Sequence, residues 1–78
     1  MSSNKNTLKG FVYANYGDFS SMAERIGIDI STASNWAKSK PRNMLRYLPE
    51  ILSTSDASAN DVIRAVVERE KELAEAAA

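Results

Sequence analysis

Positions 27–40 read GIDISTASNWAKSK, and the side chains there that can do chemistry are hydroxyls, one carboxamide and cations. Ser31, Thr32, Ser34 and Asn35 supply short donors and acceptors, and Lys38 and Lys40, with Arg42 just beyond, supply positive charge. The chain holds neither histidine nor cysteine. That removes the commonest general base, thiolate nucleophiles, disulfides and the usual zinc ligand sets. A glycine-rich phosphate loop is also missing. The remaining chemistry is recognition without catalysis, and neither a cofactor nor a metal is expected. A carboxamide pairs in bidentate fashion with adenine, a hydroxyl suits several base edges, and an apolar branch suits the methyl group of thymine.

These residues need a rigid element to aim them. With 44% hydrophobic and 26% charged residues in a chain of 78, the composition is that of one small globular domain. A core of this size is marginal unless helices pack efficiently or two chains share a surface. No apolar run approaches the roughly 18 residues of a membrane span. The start MSSNKNTLKG lacks the apolar segment of a secretory signal. A cytoplasmic protein with no membrane partner is expected.

The net charge of zero conceals a division. Up to Leu48 seven basic residues face three acidic ones, and from Pro49 onward the proportions reverse. A basic front half suits a polyanion, and an acidic back half suits a different surface.

The apolar spacing is helical throughout. Leu8, Phe11, Val12 and Ala14 share one side of a helix over Thr7–Tyr16, which Gly17 ends. Asp18 is placed to cap the next helix, Phe19–Ile26, in which Phe19, Met22, Ala23 and Ile26 share a face. Gly27 can take positive φ and reverse the chain, Ile28 can plug the corner, and Asp29 is assigned to cap a third helix over about residues 30–39. Pro41 stops that helix. Met44, Leu45, Leu48, Ile51 and Leu52 form a further stripe, in which Pro49 either kinks one helix or separates two. Residues 53–60 read as a polar loop. A final helix begins near Ser58 or Asn60 and carries Val62, Ile63, Val66, Val67, Leu73, Ala74 and Ala77. The expected fold is all-α, a compact bundle of about five helices with a longer C-terminal one. Its single domain divides into a DNA-binding core over about residues 1–52, the loop 53–60 and the helix 61–78. Two short helices joined at Gly27 make a helix-turn-helix.

FSSMAERIGIDISTASNWAK, residues 19–38, resembles the helix-turn-helix of the lambda-repressor-like Cro and CI proteins, small transcription regulators of phages and bacteria. The resemblance is carried by Ala23, Gly27, the apolar Met22, Ile26 and Ile28, and Trp36. It departs at Ala33, where valine or isoleucine usually anchors the recognition helix, and at Ile30, where a polar residue often reads a base. Ala33 implies a shallower anchor, with Trp36 carrying more of the packing in the core.

On a helix from Ile30, the side carrying Ala33 and Trp36 is the buried one, and Ser31, Ser34, Asn35 and Lys38 point outward. Ile30, Ser31, Thr32, Ser34 and Asn35 are the candidate base contacts. Ile30 must either tuck into the core or meet a thymine methyl. Lys5, Lys9, Lys38, Lys40 and Arg42 are the candidate phosphate contacts, which position without specifying sequence. Arg25 and Arg46 suit that role less, since each can pair with a nearby carboxylate, and Tyr13, Tyr16 and Tyr47 are expected to rim the core.

The implied function is that of a Cro-like repressor, a homodimer on a double-stranded operator, with the C-terminal helix as the pairing element and no small-molecule ligand. Two alternatives stand beside it. One is another phage DNA-binding role, as a terminase small subunit or recombination accessory factor, and the other is a protein-interaction module acting through the acidic C-terminal helix.

Overall fold

The computed structural model describes residues 6–77. Its elements are α1 (Thr7–Tyr16), α2 (Phe19–Ile26), α3 (Ile30–Lys38), a 3-10 helix (Pro41–Tyr47), α4 (Leu48–Thr54) and α5 (Ala59–Ala77). The all-helical fold expected from the apolar spacing is the one that forms.

Local chemistry sets most of the helix ends. Asn6 opens α1 by accepting from the Lys9 amide, and Asp18 opens α2 by accepting from the Ser21 amide at 2.7 Å. Gly17 and Gly27 close these two helices with φ of 94° and 80°, a conformation other residues rarely adopt. At the second of these ends the amides of Gly27 and Ile28 both donate to the Ala23 carbonyl, so the chain reverses tightly before α3.

Asp29 departs from its expected role. It occupies the N-cap position of α3, but its carboxylate accepts no capping hydrogen bond; its backbone carbonyl takes the amides of Thr32 and Ala33. A capping carboxylate must fold back over the first turn, and the Asp29 side chain does not.

Pro49 separates two helices. The stripe from Pro41 begins as a tight 3-10 helix, and Pro49 lies in the first turn of α4, where its missing N–H breaks no intrahelical bond. The polar stretch assigned to residues 53–60 is shorter as a loop. α4 runs through Thr54, and α5 starts at Ala59. Three hydroxyls sustain the end of α4 by donating back to carbonyls of the previous turn: Ser53 and Thr54 to Glu50, and Ser55 to Ile51. At the start of α5, Ser58 and Asp61 form a reciprocal capping box. The Asp61 amide donates to Ser58 Oγ, and the Ser58 amide donates to Asp61 Oδ2. The Ser58 amide, and after it the Ser58 hydroxyl, holds the Asp61 carboxyl below its ordinary value.

One core joins every helix. Leu8, Val12 and Tyr16 of α1, Met22 and Ala23 of α2, and Ala33, Trp36 and Ala37 of α3 meet Met44, Ile51, Val62 and Val66 there. Ala14, expected on the inner face of α1, is exposed, and Tyr16 takes the inward place. Tyr16 reaches across to α4, where its hydroxyl lies 2.7 Å from Thr54 Oγ1. α5 lies against α1 and the 3-10 helix, and α3 is held between α2 and the 3-10 helix. The radius of gyration, 11.8 Å, is close to the roughly 11.5 Å expected of a folded chain this long, so α5 belongs to the body instead of projecting from it.

Candidate nucleic-acid interface

α3 is a two-faced helix. Ala33, Trp36 and Ala37 are buried, with Trp36 only 1% exposed and the largest fully buried side chain among the described residues. Its indole packs on the Tyr47 ring at 5.4 Å, tilted by 36°. With alanines at 33 and 37, Trp36 supplies the bulk that α3 buries in the core.

The other face carries the expected recognition residues. Ile30, Ser31, Asn35 and Lys38 are exposed, and Thr32 and Ser34 are half-buried. The Ser34 hydroxyl donates to the Ser31 carbonyl at 3.2 Å, so part of its hydrogen-bonding capacity is engaged within the helix. The Asn35 backbone carbonyl receives the amides of Ser39 and Lys40, which close the helix and leave the carboxamide facing solvent. Ile30 does not tuck into the core: it is 53% exposed.

The expected phosphate contacts divide. Lys38 and Lys40 are exposed at the end of α3. Lys9 is exposed on α1, with its ammonium 5.6 Å from the centre of the Tyr13 ring. Lys5 lies outside the described residues. Arg42 is engaged by a carboxylate, its Nε 2.6 Å from Glu70 Oε2, with 71% of the arginine side chain exposed. Reaching a phosphate requires Arg42 to leave that pair, a small obstacle for an ion pair so open to water. Arg25 donates to the Thr54 carbonyl at 3.4 Å.

The far end of α3 is held by a polar clasp that sequence reasoning missed. Arg69 Nε donates to the Ala37 carbonyl at 2.6 Å, and the Asn6 carboxamide donates to the same oxygen at 3.3 Å. On the other side of Arg69, Glu72 accepts from Arg69 Nη1 at 3.5 Å and from the Thr7 amide at 3.0 Å. The Thr7 hydroxyl donates to the second oxygen of Glu72. One cluster thus ties the start of α1 and the end of α3 to the middle of α5. Burial pushes the Glu72 carboxyl upward, but the hydrogen bonds from Thr7 and Arg69 outweigh it and hold the group below its ordinary value of 4.5. No signal in the sequence pairs residues 6 and 7 with 69 and 72. The Ser58–Asp61 box, in contrast, has a recognisable spacing of a hydroxyl three residues before a carboxylate.

Two open grooves, of about 440 Å³ between α1 and α5 and about 330 Å³ beside the end of α4, take no residue from α3. Among the described residues no three histidine, cysteine, aspartate or glutamate side chains gather to hold a metal ion, and no helix is long and apolar enough to cross a membrane. Compared with models of protein families, with curated proteins and with solved structures, the chain matches none.

Proposed function

We propose that this chain is a sequence-specific regulator of transcription that binds double-stranded DNA, a Cro-like repressor that lays α3 in the major groove and acts by occupying its operator. The observation that carries the reading is the division of α3. Ala33, Trp36 and Ala37 lock one side into the core, and Ser31 and Asn35 stand exposed on the other with Lys38 and Lys40 behind them. Short polar side chains on the exposed face of a helix suit base edges, and the cations that follow suit phosphates. The helix-turn-helix resemblance over residues 19–38 agrees with the placement of Gly27 between α2 and α3.

The few base contacts of one copy are each worth roughly 1–3 kcal/mol of discrimination, so useful specificity calls for a homodimer on a two-fold related site. Its recognition helices then lie about 34 Å apart. The pairing surface offered is on α5, where Ile63 and Val67, one turn apart, are 43% and 49% exposed. The protein works in the cytoplasm by binding alone, with no cofactor.

Selection of duplexes from a random pool, followed by anisotropy titrations at several salt concentrations, tests the reading. An enriched motif with salt-dependent affinity is expected. A pool with no enriched motif, together with weak binding at low salt, overturns it.

A further inference from the structure

We propose that Ile30 determines specificity for a pyrimidine carrying a C5-methyl group, so that the protein senses the methyl of thymine or of 5-methylcytosine in the major groove. This rests on the reading of α3 as the helix that enters that groove.

The two isoleucines of the turn have different surroundings. Ile28 packs against the core, whereas Ile30, two residues later, is 53% exposed and is not among the apolar side chains packed there. It is the first residue of α3, next to the exposed Ser31. The N-terminal residues of a recognition helix are those that contact base edges. A branched aliphatic side chain has no donor or acceptor, and the one group on the major-groove edge of a base that it complements is the C5-methyl. Thr32 carries the nearest alternative methyl, but it is half-buried. The other large apolar side chains that are exposed, Tyr13, Leu52, Ile63 and Val67, lie on α1, α4 and α5. Ile30 is therefore the apolar surface that α3 itself presents.

The test uses the full chain and the duplex it selects. Each thymine is replaced in turn by deoxyuridine, which removes only the methyl group. At one position per half-site the affinity is expected to fall roughly fourfold, the worth of burying one methyl-sized group. Ile30→Ala should abolish that difference, and Ile30→Val, which keeps a branched apolar surface, should retain it. A second pair of duplexes carries cytosine or 5-methylcytosine at the same position. A deoxyuridine loss alone assigns the contact to thymine; a gain of similar size on 5-methylcytosine extends it to methylated cytosine. If no thymine methyl matters, or if the effect persists in Ile30→Ala, the inference is overturned while sequence-specific binding stands. If no duplex is selected at all, both this inference and the DNA-binding reading fail.

Discussion

Asp18 and Asp29 precede α2 and α3 at equivalent positions, yet only Asp18 caps its helix. The backbone at Asp18 is fully extended, with φ −162° and ψ 174°, whereas Asp29 has φ −72° and ψ 146°. Residue type is visible in a sequence, but the approach of the chain to the helix is not. Asp18→Ala is therefore expected to cost about 1 kcal/mol in urea denaturation, the usual worth of an N-cap, and Asp29→Ala to stay within about 0.5 kcal/mol. Equal losses would mean that Asp29 caps after all. The same limit explains the other surprises among single residues. Ala33 and Trp36 were readable as buried because they sit three apart on an amphipathic helix. The exposure of Ile30 was not readable, because the first residue of a helix belongs to no complete turn. The pairing of Arg42 with Glu70 joins positions far apart in the chain, which no local pattern encodes.

Helices were the most readable feature, since each carries its own period and its own stop signals. α1 and α2 match their expected spans, and Gly17, Gly27 and Pro41 stand at helix boundaries as expected. Their mutual placement depends on contacts that only the fold creates, above all the clasp of Arg69 and Glu72 on α5. Arg69→Ala leaves the Ala37 carbonyl without its charged donor, and it is expected to destabilise the protein by about 1.5–3 kcal/mol. Glu72 gives this cluster a pH dependence. Its pKa is lowered in the fold, so its contribution is complete above the ordinary value of 4.5 and is lost as pH falls through the depressed folded value. Thermal melts across the acid range should accordingly show a stability loss that is smaller in Glu72→Gln. An unchanged acid limb would place the titrating group elsewhere.

The segregation of charge along the chain is also a segregation among the helices. The basic front half contains α3 and the lysines that follow it, and the acidic back half contains α5. The valines and isoleucine of α5 divide: Val62 and Val66 are buried, while Ile63 and Val67 remain exposed. Helical periodicity marked all four as apolar positions but not which of them the core leaves uncovered. If those two side chains pair two copies, Ile63→Glu should shift sedimentation toward the monomer with little change in the melting temperature. A dimer that survives the substitution would move the interface off α5. The claim that α3 reads bases while its flanking lysines hold phosphates is tested most directly by comparing Asn35→Ala with Lys40→Ala on the selected duplex and on an unrelated one. Asn35→Ala is expected to cost on the order of 1–3 kcal/mol on the selected duplex and to leave the unrelated one almost unchanged. Lys40→Ala is expected to weaken both and to lower the salt slope by about 0.9. Equal behaviour of the two variants would contradict the division of contacts along α3.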